Sequence, residues 1–110
     1  METYYKPEHL AHFGSIAEGN PALAEKFFAW YGAVFADGAL SSREKALVAL
    51  AVAHAVQCPY CIDAYSQECL KNGADLPQMT EALHVAVAIR GGASLVHGLQ
   101  MLEHVKKVSM

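Results

Sequence analysis

Two cysteines separated by two residues, Cys58-Pro59-Tyr60-Cys61, have the clearest capacity for chemistry in this 110-residue chain. Such a pair serves either as a dithiol that cycles through a disulfide or as half of a tetrahedral zinc site. Zinc would need two further ligands at matching spacing, and the chain has neither a second C-x-x-C nor an H-x3-H pair. The dithiol is therefore the stronger reading. Pro59 suits the first position of a helix, where its missing N–H costs nothing. That puts Cys58 near the N-cap, with free backbone N–H groups and the positive end of the helix dipole beside its sulfur. Such a setting favours a reactive thiolate at neutral pH.

His54 stands four residues before Cys58 and would share its face on a continuous helix. It could deprotonate a thiol or hold a thiolate as imidazolium. The plainer reading is a core histidine with a hydrogen-bond partner. His84 and His97, together with Cys58, Cys61 and His54, could form a Cys2His2 zinc site. None of the histidine spacings is that of a standard zinc motif, so the sequence calls for no metal and no cofactor. His9, His12 and His104 read as surface residues, and Cys69 as a small buried hydrophobe.

The elements that must position these residues read as all-helical, because almost no segment alternates apolar and polar residues with period two. Residues 7–16 predict a short first helix, and Glu18-Gly19-Asn20 a break. Asn20 then caps a helix over 21–35 with Pro21 at its first position. Ser41 and Glu44 match the S-x-x-E capping box. They open a helix over 42–56 that is apolar nearly all round, which implies burial in a bundle or an oligomer interface. Pro59 restarts the chain as a helix carrying Cys61, Tyr65 and Cys69, and Asn72-Gly73 ends it. Asp75 caps the next helix, which Gly91-Gly92 should interrupt by a kink or a close packing contact. A last helix over 93–107 ends in two lysines that suit a helix C-terminus. The expected fold is an all-α bundle of five to six helices in a single domain over residues 1–110.

With 54% hydrophobic and 17% charged residues, the chain is more apolar than an average soluble domain. Some of its apolar surface is expected to lie against another subunit. A net charge of −3 with no basic patch argues against nucleic acid. No apolar run reaches the ~18 residues of a membrane span, and the longest, 46–56, is interrupted by His54, so no membrane is expected as a partner. The first residues lack the pattern of a signal peptide, so the expected location is cytoplasmic. Three cysteines in that compartment suggest redox chemistry rather than a disulfide framework.

Three stretches in this order carry a family resemblance: Ser-Ser-Arg-Glu-Lys-Ala-Leu-Val-Ala-Leu-Ala-Val-Ala from Ser41, then Cys-Pro-Tyr-Cys, then Gly-Gly-Ala-Ser from Gly91. Over residues 40–98 the chain resembles the carboxymuconolactone decarboxylase / AhpD-like superfamily. The resemblance implies an all-α fold that assembles as homotrimers or homohexamers. For members with the C-x-x-C it also implies alkylhydroperoxidase or disulfide reductase chemistry, with a small hydroperoxide or disulfide substrate and a dithiol reductant. A narrower similarity is to a short peroxidase-like branch associated with arsenosugar biosynthesis, which would imply organoarsenic or organoselenium metabolism.

By the family pattern Cys61 would be the peroxidatic thiol and Cys58 the resolving one. Helix-start geometry argues for Cys58 as the attacker, and both assignments stay open. The AhpD pattern also has a relay glutamate twelve residues before the first cysteine and a relay histidine four after the second. Here those positions hold Ala46 and Tyr65. Glu44 is out of register with the relay and reads as the capping-box residue. Tyr65 could donate a hydrogen bond to a thiolate or a bound peroxide, although a phenol with its ordinary pKa of ~10 is a poor base at neutral pH. Otherwise it is an amphipathic core tyrosine. The candidate site is thus Cys58, Cys61, His54 and Tyr65, for a thiol-dependent peroxidase or disulfide oxidoreductase. Two alternatives remain. One is a non-catalytic dithiol module for metal or arsenic, with Cys69 or a neighbouring subunit giving a third sulfur. The other is a cysteine-independent, decarboxylase-like enzyme on the same fold.

Overall fold

Short polar signals set where the helices begin, and cations from neighbouring helices close two of their ends. The computed structural model describes residues 5–109, in which the order is α1 (Pro7–Leu10), a 3-10 segment (Phe13–Gly19), α2 (Pro21–Phe35), α3 (Ser42–Ala55), α4 (Pro59–Lys71) and α5 (Leu76–Ser109). There is no strand among the described residues. Asn20 accepts the Leu23 N–H at 3.2 Å to start α2. The capping box of α3 is complete: Glu44 N–H donates to Ser41 Oγ at 3.1 Å and Ser41 N–H to Glu44 Oε1 at 2.9 Å. Those bonds hold the Glu44 carboxyl below its ordinary range, first through the Ser41 backbone N–H. Asp75 and Gln78 form the same reciprocal pair at the start of α5, at 2.9 and 3.1 Å. Lys45 Nζ on α3 donates to Val34 O at 2.8 Å and Ala36 O at 2.6 Å, at the C-terminus of α2. Arg90 on α5 donates to Ala55 O at the C-terminus of α3.

Helix α3 is the hub, packed against both α4 and α5. The core there is small: Ala46, Leu50, Cys69 and Ala74 are buried, with Leu47, Tyr65 and Met79 packed against them. The apolar circumference of α3 is only partly used, for Val48 and Val52 are exposed. The radius of gyration is 18.9 Å, against about 13 Å for a compact domain near this length. Most of α5 accounts for the difference: Ala86 is its one buried residue, and Leu95 is 81% exposed.

Three expectations need correction. Residues 7–16 do not form one helix; α1 stops at Leu10 and a 3-10 segment follows. Gly14 and Ser15 are weak helix formers there, and Phe13 is held edge-on to Phe28 at 5.4 Å. Gly91-Gly92 does not interrupt the chain, because α5 runs unbroken for 34 residues. Each glycine costs a helix about 1 kcal/mol, too little to break one so long once Arg90 and Ser94 anchor the stretch. A Cβ on either glycine would meet nothing within 4 Å, so the expected close packing is also missing within this chain. Finally, α5 is long and apolar enough to cross a membrane by length and composition, with a mean hydropathy of 1.3 over its best 18-residue window. Uninterrupted runs hid this because His84, Arg90 and His97 punctuate the helix.

Candidate active site

The site is built by the way α3 ends. Cys58 N–H donates to Ala53 O at 3.0 Å and Gln57 N–H to His54 O at 3.2 Å, the two bonds of a Schellman turn. The residue between them, Gln57, takes a φ of 57°, the left-handed region that usually goes to glycine. This turn reverses the chain and delivers Cys58 to the N-cap of α4, with Pro59 in the first turn. Cys58 Sγ accepts the Cys61 N–H at 3.2 Å. That bond satisfies one of the free N–H groups at the start of α4. The Cys61 thiol is pushed up to about 11, first by burial, then by its hydrogen bond to Cys58 and by the charge there. Both cysteines are free and half-buried.

The two sulfurs open on a cavity of about 1100 Å³ with aromatic walls: Phe13, Tyr31, Phe35, Tyr60 and Tyr65. Ala46, only 3% exposed, lies in the same wall. The two positions where the family pattern has its relay, Ala46 and Tyr65, therefore border the cavity that the cysteines enter. Tyr65 stacks on Phe35 with ring centroids 5.2 Å apart, and Tyr31 lies 5.1 Å from Phe35. The Tyr31 and Tyr65 hydroxyls are hydrogen-bonded to each other. The Tyr31 phenol is raised above its ordinary value, first by burial and then by negative charge at Cys61 and Cys58, so its hydroxyl feels both sulfurs.

The chain N-terminal to α2 forms the outer wall. Tyr5 Oη donates to Asp63 Oδ2 at 2.5 Å, Lys6 N–H donates to Tyr60 Oη at 3.2 Å, and His9 Nδ1 lies 3.2 Å from the same hydroxyl. The hydrogen bond from Tyr5 leads the causes that lower the Asp63 carboxyl, and Asp63 in turn pushes Tyr5 up to about 12.

His54 is not brought to this cavity. Helix α3 ends one residue later, and the Schellman turn breaks the continuous face expected with Cys58. Its Nδ1 lies 2.9 Å from Leu50 O and must carry the hydrogen, since a carbonyl only accepts. The ring borders a separate open depression with Gln57, Pro59, Ile62 and Asp63. His84 and His97 are exposed on α5 and line neither hollow. Cys69, fully buried, sits in the core behind Ala46 and Tyr65 and does not line the cavity. Among the described residues no three His, Cys, Asp or Glu side chains gather as a metal site. Sequence reasoning missed Tyr31 as a site residue and took His9 and His12 as surface residues; both histidines are exposed but line the cavity rim. The available signal was the i, i+4 spacing of Tyr31 and Phe35, which set two rings on one face of α2.

Comparisons with known proteins agree with this architecture. The carboxymuconolactone decarboxylase family profile matches residues 21–104. An uncharacterized protein of the cox locus of Paracoccus denitrificans is 38% identical over 96 residues, 87% of this chain and 86% of that protein. A crystal structure of a protein from Methanobacterium thermoautotrophicum superposes with a TM-score of 0.74 at 32% identity, covering 78% of this chain and 97% of the other. A carboxymuconolactone decarboxylase family protein from Legionella pneumophila, in its apo form, gives a TM-score of 0.69 at 33% identity, covering 94% and 92%.

Proposed function

Because the chain belongs to the carboxymuconolactone decarboxylase family, we propose that it is a thiol-dependent peroxidase or disulfide oxidoreductase working through the Cys58–Cys61 pair. One observation carries the reading: the Cys61 N–H is on Cys58 Sγ at 3.2 Å, at a helix start that opens on a roomy aromatic cavity. Cys58 takes the attacking role, since its sulfur has the donor and Cys61 stays protonated at neutral pH. The Cys58 thiolate attacks the terminal oxygen of a hydroperoxide. The O–O bond breaks, sulfur is oxidised to sulfenic acid, and the peroxide leaves as an alcohol once its oxygen is protonated. The Cys61 thiol then condenses with the sulfenic acid, releasing water and forming the disulfide. An external dithiol reduces that bond by exchange, leaving its own disulfide.

The reading includes a cytoplasmic homotrimer or homohexamer. The long apolar flank of α5, exposed from Leu95 to Val108, is the surface a second copy would cover. Light scattering of the purified protein tests this, and a monomer would refute it.

The chemistry is tested on reduced, metal-free protein treated with one equivalent of cumene hydroperoxide. Free thiols are counted and the disulfide is mapped by mass spectrometry in the parent chain, Cys58→Ser and Cys61→Ser. A Cys58–Cys61 bond in the parent and a trapped sulfenic acid in Cys61→Ser alone are expected. No thiol loss in the parent would end the peroxidase reading.

A further inference from the structure

The family's relay positions hold Ala46 and Tyr65, so the leaving oxygen needs another proton source. We propose that the Tyr31–Tyr65 hydroxyl pair is that source: Tyr31 donates its proton to the departing alkoxide, and Tyr65 steadies the phenolate left behind. The proposal rests on the peroxidase reading above. It stands on an arrangement that brings α2 and α4 together. The two hydroxyls, 34 positions apart in sequence, are hydrogen-bonded in the wall of the cavity that receives Cys58 and Cys61. Phe35 fixes both rings from one side. The cavity's other phenol, Tyr60, is engaged on the outer wall, where its hydroxyl accepts the Lys6 N–H at 3.2 Å. Glu68 faces Lys71 at 3.6 Å, His9 Nδ1 is 3.2 Å from Tyr60 Oη, and His12 stands exposed at the rim.

A phenol suits this role for the reason that disqualifies it as a base. Tyr31 is raised above its ordinary value, so it stays protonated at neutral pH and holds a proton to give. An alkoxide is far more basic than a phenolate, so the transfer runs downhill. The step balances: thiolate and hydroperoxide give sulfenic acid and alkoxide, the alkoxide takes the Tyr31 proton to become alcohol, and the Tyr31 phenolate regains a proton from water. Tyr31 is the proton donor. Tyr65, which acts through Tyr31, is a positioning residue.

The test exploits the leaving group. A peracid expels a carboxylate, which needs no proton, whereas cumene hydroperoxide expels an alkoxide, which does. Thiol oxidation is followed by stopped flow in the parent chain, Tyr31→Phe and Tyr65→Phe, with both oxidants. Circular dichroism confirms that the variants are folded, and phenylalanine keeps the ring packing on Phe35. Tyr31→Phe is expected to slow the hydroperoxide reaction by about 10- to 100-fold while leaving the peracid reaction within about threefold, with Tyr65→Phe in between. An equal loss with both oxidants would show a structural role and overturn the proposal. So would an unchanged hydroperoxide rate in Tyr31→Phe. A parent chain inert to hydroperoxide would instead overturn the peroxidase reading itself, and the proton donor with it.

Discussion

Helices α3 and α4 end in the same hydrogen-bonded turn, built from different residues and put to different uses. At the end of α4, Ala74 N–H reaches Cys69 O at 2.9 Å and Gly73 N–H reaches Leu70 O at 3.1 Å. The left-handed residue is Gly73, with φ of 83°, where a missing Cβ removes the steric penalty. The flanking residues Cys69 and Ala74 are both buried in the core, so this turn serves packing. At the end of α3 the same position holds Gln57, which bears a strain of roughly 1–2 kcal/mol. The residue it delivers is not a core side chain but the half-buried thiol of Cys58. Strain kept beside the half-buried Cys58, and avoided beside the buried Cys69, is what the proposed thiol chemistry would call for: a first turn whose geometry matters more than its stability.

The comparison breaks most visibly at the cysteines. Cys58→Ser should abolish peroxide-driven disulfide formation while leaving stability within about 0.5 kcal/mol, because serine also caps a helix. Cys69→Ser should do the reverse. Burying a hydroxyl among Ala46, Leu50 and Ala74 costs about 1–3 kcal/mol, read in a urea titration, with the disulfide still formed. The next effect is at Gly73. A Cβ there meets nothing within 4 Å, so Gly73→Ala isolates the backbone penalty and should lower stability by about 1 kcal/mol. Gln57→Gly should move the melting temperature in the opposite direction, by less. Relief of strain is largely offset by the extra freedom glycine gives the unfolded chain, roughly 0.5–1 kcal/mol. If both glycine exchanges shift stability with the same sign, the two turns are not equivalent in the way described.

The last effect is in alkaline solution, where solvent reaching the half-buried Cys61 weakens the linkage. The Cys61 thiol is raised from an ordinary 9.0 to about 11, first by burial and then by Cys58. Over that window the unfolded chain loses the proton and the folded chain keeps it. Stability is therefore full below pH 9 and falls as pH rises towards 11. Denaturation midpoints of the reduced protein should show this fall. It should be shallower in Cys58→Ser, where the two causes that depend on Cys58 are weakened.

What was legible in the sequence was local. The Ser41–Glu44 box, Asn20 with Pro21, Pro59, and Asn72-Gly73 all act on backbone groups within a few residues, so composition alone exposes them. The Cys58–Cys61 pair was readable for the same reason. The rest depends on partners far along the chain. Nothing near Gln57 signals a left-handed residue, since the turn is fixed by carbonyls of α3 and by the start of α4. Arg90, just before Gly91-Gly92 on the unbroken α5, reaches Ala55, 35 positions away, a contact no local pattern records. Tyr31 reads as one more aromatic on an amphipathic helix until α4 brings Tyr65 beside it, and no periodicity records that meeting.

The outer wall of the cavity has a consequence in time. Helix α1 buries no residue, and it and the two residues before it are moored to α4 through Tyr60 and Asp63 by polar contacts and by the Tyr5–Tyr60 ring contact at 4.7 Å, each worth about 1 kcal/mol. None of those contacts involves a buried residue of the α3 core, so releasing them is expected to cost less than global unfolding. Amide protons of residues 6–19 should exchange with solvent on a faster clock than those of α3. For a guest too large to slip past Tyr60, that clock, rather than the sulfur chemistry, would set the pace of entry.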